Sequence, residues 1–163
     1  MRLPTLELGA GDTNDTDFDV RNDVRILPGI NHVGDILTLS RDPESHSIIK
    51  MNHVIEHFTP AEQAQVVKRV YDWLAPGGMF LCWTPDMAYA KWAHDNGLIT
   101  DEHYDNLLHG ARDYAENVHL GHLTQDTMRA LLAGVGFTVH SVRTVAGSIE
   151  AVAFKEQDAK TTD

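Results

Sequence analysis

Glu7-Leu8-Gly9-Ala10-Gly11 sets a carboxylate beside two glycines, just after the short apolar run Leu3 to Leu8. Glycine lets a backbone come close to a ligand where any Cβ would collide, and a strand-end carboxylate can accept hydrogen bonds from a cationic amino group. A plain glycine turn is the competing reading. Asp19 stands at the end of a second candidate strand, Phe18-Asp19-Val20. Nucleotide-binding α/β folds put an acid there to hold ribose hydroxyls, although any single aspartate is more often a solvated surface group. Asp35 follows the third candidate strand, Asn31 to Gly34, and could face an adenine amino group with Ile36 packed on the ring. Asn52-His53-Val54-Ile55-Glu56-His57-Phe58 comes directly after the strongest strand candidate, Ser47 to Met51. Amide, imidazole and carboxylate groups are thereby placed at the carboxyl edge of a parallel sheet, where such folds bind ligands.

Those groups need elements to hold them. Thr59-Pro60-Ala61-Glu62 opens a helix with a capping box and a proline at its first position. Val66, Val67, Val70, Tyr71 and Leu74 continue it at helical spacing, and Pro76-Gly77-Gly78 turns the chain. Met79 to Trp83 is nearly all apolar, as expected of a strand buried on both faces. A second helix is predicted over Thr124 to Val135, stopped by Gly136, and Phe137 to Thr144 and Ser148 to Phe154 read as a terminal hairpin. The alternation of short apolar runs with helices is the α/β signature. One domain is expected over residues 3–154, with 85–120 as a polar insertion on the substrate side and 155–163 as a disordered tail.

Composition narrows the classes. The 163 residues are 42% hydrophobic and 23% charged, normal for a globular domain. The formal charge of −11 argues against broad attraction to nucleic acid or anionic lipid. Cys82 is the single cysteine, so no intrachain disulfide can form. The first residues do not read as a signal peptide, and no apolar run approaches the ~20 residues of a membrane span. A cytoplasmic location and no membrane partner are the expectations.

Taken in order, several segments resemble class I S-adenosylmethionine (SAM)-dependent methyltransferases, most nearly the small methyltransferase type 11 group. Glu7 to Gly11 resembles their first motif, and His53 to Phe58 their segment after strand four. Tyr71 to Gly78 is similar to their Leu-Lys-Pro-Gly-Gly turn, Thr84-Pro85-Asp86 to the end of strand five, and His119 to Phe137 to a late histidine followed by a helix closing on Gly-Phe. The likeness runs from about Leu3 to Phe154. It implies an α/β, Rossmann-like, three-layer αβα fold with a seven-stranded, mostly parallel sheet ending in an antiparallel hairpin, and SAM as cofactor above the carboxyl edge. By that analogy Glu7, Gly9, Ala10 and Gly11 cradle the methionine part of SAM, Asp19 takes the ribose, Asp35 and Ile36 the adenine, and Asn52 and His53 line the pocket near the methyl. One departure stands out: only the polar residues Asp12 to Asp17 separate Gly11 from Phe18, so the first crossover helix is shortened or absent.

Methyl transfer from a sulfonium is an in-line displacement that needs a base only when the nucleophile carries a proton. His53, His119 and Asp86 are the candidates by position, with His57 more simply explained by packing or capping. The implied acceptor is a small molecule or a protein, its identity unread. A methyltransferase-fold scaffold without catalysis is the alternative from another class. Other readings fit less well. His53-Val54-Ile55-Glu56-His57 matches the H-x-x-E-H of inverted zinc peptidases, but it falls between a strand and a helix that starts only at Thr59. Zinc at His119 and His122 has less support still, so no metal is expected. Asp12 to Asp17 lacks the glycine of a calcium loop. A dinucleotide reductase would want the crossover helix that is missing here.

Overall fold

A computed structural model of the chain describes residues 2–12 and 17–157. Its strands are β1 (Thr5–Leu8), β2 (Val20–Asp23), β3 (His32–Val33), β4 (His46–Asn52), β5 (Leu74–Pro85), β6 (Thr138–Val145) and β7 (Ser148–Phe154). Its α-helices are α1 (Pro60–Trp73), α2 (Met87–Asp95), α3 (Asp101–His109) and α4 (Gln125–Val135). One seven-stranded sheet runs in the order β3-β2-β1-β4-β5-β7-β6. The pairs from β3 through β5 are parallel, and β7 runs antiparallel to both β5 and β6. The seven-stranded, mostly parallel sheet and its antiparallel ending agree with the sequence reading, and no crossover helix stands among the described residues between β1 and β2.

The helices begin where their side chains can satisfy free backbone groups. The Glu62 carboxylate accepts from the Thr59 N–H at 2.9 Å, completing the predicted capping box of α1. Thr124 and Thr127 close a similar box on α4, and Gly136 ends that helix at φ 114°. Val66, Val67 and Val70 of α1 and Met128 and Leu132 of α4 join Leu6, Leu8, Ile49, Met51, Phe80 and Ile149 in one buried cluster. Both helices therefore lie on the same face of the sheet. Cys82 is buried on that face too, and burial pushes its thiol pKa up.

The opposite face has a different composition. Ile48, Met79, Leu81, Trp83, Val152 and Phe154 alternate with the core residues of their strands and are only half-buried. Where β2, β1 and β4 lie side by side, this face carries a row of charge instead. Arg21 and Lys50 pair in register with Glu7 from either side, at 3.1 Å and 2.7 Å from its two carboxylate oxygens. Lys50 also sits over the ring of Phe18. Glu7 and Arg21 are buried there, and their pairing is what makes buried charge tolerable. Among the described residues, the helices that pack broadly on the sheet supply one of the expected helical layers, and none packs broadly on the opposite face.

The chain end differs from expectation. Lys155 donates its backbone N–H to Gly78 O and its ammonium to Leu74 O, so it continues the β5–β7 pairing. Residues 158–163 of the expected disordered tail lie outside the described residues, as does most of the Asp12 to Asp17 segment. No described helix is long and apolar enough to cross a membrane.

Candidate functional site

β1 has β2 on one side and β4 on the other, so the strand order reverses there, and ligands of open α/β sheets bind outside the carboxyl ends of such strands. A cavity of about 610 Å³ opens at this place, within the usual range for small-molecule sites. Its floor is the turn after β1. Gly9 and Gly11 both adopt φ +61°, a region only glycine enters freely. A Cβ on Gly9 would come within 2.4 Å of Val54 Cγ2, whereas one on Gly11 would meet nothing within 4 Å. Gly9 thus seats the turn against the wall, and Gly11 leaves backbone bare toward open space.

Asp23 closes the tip of β2. Its Oδ2 accepts from Gly11 N–H at 2.9 Å, and its Oδ1 from the backbone and guanidinium of Arg25. Burial alone would raise the carboxyl pKa, but the bonds from Arg25 and Gly11 outweigh it and hold the value below the ordinary 3.8. Asn22 is fully buried beside it. Its amide NH₂ donates to His32 O and Gly34 O; the residue borders the cavity, and its buried Oδ1 has no partner among the described residues. Arg25 also stacks over the Tyr114 ring at 4.1 Å, so the insertion forms part of the roof.

Of the residues singled out in the sequence, Glu7, Gly9, Ala10, Gly11, Asp35, Ile36, Asn52 and His53 all line this cavity. Glu7 does so as a carboxylate already paired to Arg21 and Lys50. His53 sits at φ +54° in the turn after β4, with Nδ1 3.2 Å from Glu56 Oε1. That hydrogen bond raises the imidazole pKa, against the opposing effect of burial.

Three of the expected residues lie elsewhere. Asp19 falls outside the cavity, at the start of β2 rather than its end. Its carboxylate accepts from the backbone and hydroxyl of Thr5 and from Arg2, and the Thr5 bonds lead in lowering its pKa. The short strand begins at Val20, so the strand-end acid is Asp23, four residues on. Asp86 is buried as the N-cap of α2, accepting from Ala88 and Tyr89 N–H and from the Thr144 hydroxyl. His119 lies behind the cavity wall, where its Nδ1 donates to Leu107 O, and burial lowers its pKa. Sequence reasoning missed Asp23, Asn22, Arg25 and Tyr114. The cue available for the first was Arg21-Asn22-Asp23-Val24, whose polar residues disguised a strand.

A family model described as a methyltransferase domain matches residues 12–142. No curated protein sequence matches the chain. Among solved structures, a protein from Pyrococcus horikoshii OT3 is 20% identical with a TM-score of 0.67, covering 96% of this chain and 83% of that one. A SAM-dependent methyltransferase from Methanosarcina mazei is 15% identical at a TM-score of 0.68, over 96% and 94% of the two chains. The 1,6-didemethyltoxoflavin-N1-methyltransferase of Burkholderia thailandensis, solved with 1,6-didemethyltoxoflavin and S-adenosylhomocysteine, is 16% identical at 0.64, over 96% and 72%. At these identities the likeness is one of fold.

Proposed function

The chain belongs to the methyltransferase-domain family, and from that premise we propose that it binds SAM in the cavity above β1 and passes the methyl group to a small-molecule or protein acceptor. The observation that carries this reading is the pairing of bare backbone at Gly11 with the Asp23 carboxylate at the rim of an open, 610 Å³ cavity. The residues present suit the cofactor. Asp23 offers carboxylate oxygens to ribose hydroxyls, and Asn22 Oδ1 is a buried acceptor in want of a donor. Asp35 and Ile36 stand at the adenine end as an exposed acid beside an apolar side chain. Ribose recognition thereby passes from Asp19 to Asp23.

SAM supplies the methyl group and its own leaving group when bound, so the protein's work is to position the partners and exclude water. Tyr114, Val118 and Leu120 from the insertion line the cavity from above and would limit solvent there. Where the acceptor carries a proton, His53 is the base this geometry favours. Glu56 accepts from its Nδ1–H, leaving Nε2 as the acceptor nitrogen of a ring that lines the cavity. His119 and Asp86 drop out of that role on position alone.

Calorimetric titration with SAM and S-adenosylhomocysteine tests the reading. Micromolar-range binding is expected, weakened at least about tenfold, roughly 1.4 kcal/mol, by Asp23→Ala and left unchanged by Asp19→Ala. Absence of heat with either ligand would hand the case to a scaffold that keeps the fold without the chemistry.

A further inference from the structure

Behind the cavity wall, three side chains from distant parts of the sequence converge. Glu56 and His57 lie in a single 3-10 turn, Ile55–His57, after β4. The backbone N–H groups of Leu120 and Gly121 both donate to Glu56 O, which fastens the end of the insertion onto that turn. His119 is thus brought beside His57, their ring centroids 5.1 Å apart. One nitrogen of each imidazole and one carboxylate oxygen of Glu56 all lie within 4.8 Å of one another.

The hydrogen bonds decide which nitrogens these can be. His57 Nδ1 meets Val118 O at 3.1 Å, and His119 Nδ1 meets Leu107 O at 2.7 Å. A carbonyl oxygen only accepts, so both Nδ1 atoms carry the proton and both Nε2 atoms carry a lone pair. Glu56 is buried and oriented from outside the cluster: the Thr84 hydroxyl donates to Oε2 at 3.0 Å, and His53 holds Oε1. Imidazoles fixed through Nδ1–H to carbonyls, beside a carboxylate that is itself hydrogen-bonded, form the outer shell that characteristically orients metal ligands.

We propose that Glu56, His57 and His119 form a binding site for a divalent transition-metal ion of the zinc type, set in the wall of the large cavity. Two imidazoles and one carboxylate select against magnesium and calcium, which take oxygen ligands. Three protein ligands leave at least one coordination position for water or an oxygen donor. His57 lines the cavity, so the ion borders the space proposed to hold SAM. The sequence pairing of His53 with His57 as an H-x-x-E-H motif does not form. His53 turns toward the cavity and supports Glu56 from outside, while the second imidazole comes from 62 residues beyond His57, as His119.

Protein without a polyhistidine tag, stripped with chelator and dialysed, is titrated with Zn²⁺ by calorimetry and with Co²⁺ by visible absorption. One equivalent of each is expected, with Co²⁺ giving ligand-field bands. His57→Ala and His119→Gln should each weaken binding by about 100-fold or more. The glutamine can still donate to the Leu107 carbonyl, so that variant separates loss of a ligand from loss of fold, which a circular-dichroism melt also monitors. His122→Ala, a neighbour bonded to Leu108 O, should bind as wild type does. Failure to bind one equivalent, or wild-type affinity in a folded His119→Gln, overturns the site. Neither result depends on whether SAM binds.

Discussion

The β1–β3 half of the sheet and the half from β4 to β7 are held by different forces. β1, β2 and β3 have four, four and two residues, and no helix joins them among the described residues. Leu6 and Leu8 of β1 reach the apolar core, and beyond them side-chain hydrogen bonds do the tying. Asn31 bonds Arg21 N–H and Asp19 O, Asn22 bonds His32 O and Gly34 O, and Asp23 bonds Gly11 N–H. The other half rests on α1, α4 and the apolar face of β4, β5 and β7. Among the described residues, polar bonds rather than a packed helix thus fix the strand tips of the β1–β3 half. The difference predicts that the two halves fail in different ways.

The largest effect belongs to the apolar half. Phe80 is 1% exposed and stacks against Phe137. Phe80→Ala should cost about 3–5 kcal/mol in urea unfolding, felt across the whole molecule. A loss confined to a small part of the chain would mean the two halves are not one cooperative unit.

Next comes the polar half. Asn22→Ala leaves the His32 and Gly34 carbonyls without their donor, at about 1–3 kcal/mol. Hydrogen exchange should quicken around β3 and the residues after it, leaving α1 and α4 protected. Equal acceleration in both regions would erase the distinction drawn here.

The smallest effect is the response to acid. Asp23 has a folded pKa below its ordinary value of 3.8. Its stabilisation is therefore complete above 3.8 and is lost as pH falls through the lower folded value. The Gly11 amide, followed by NMR, should lose protection in that window before the core amides do. If it stays protected while the core opens, Asp23 is not what holds the turn.

Much of this was legible in the chain. Thr59 and Glu62 announced α1, and Gly136 announced the end of α4, because caps are local chemistry that three or four residues specify. Gly9 and Gly11 marked the cavity floor for the same reason. Asp19 misled because β2 has almost no alternation to reveal its frame: Val20-Arg21-Asn22-Asp23 hides three buried polar residues whose burial is repaid only by partners on other strands. Asp86 and His119 misled in another way. Each stands where a base could stand, and only the tertiary bonds show otherwise: Thr144 ties Asp86 into the framework, and Leu107 holds His119 behind the cavity wall. The joining of His119 to Glu56 and His57 had no sequence signal, since a long insertion separates them.

The row formed by Arg21, Glu7 and Lys50 has one more consequence. Strands of four residues offer too little apolar surface to choose their own alignment. Sliding β2 or β4 by a single residue would turn its cation through to the helix-covered side, among Leu6, Leu8 and Ile49, and leave Glu7 facing an uncharged neighbour. The three charges therefore work as an index mark. They let the four-residue strands β1 and β2 settle in one frame, and with that frame the spacing between the glycine turn and the acid that closes it is set.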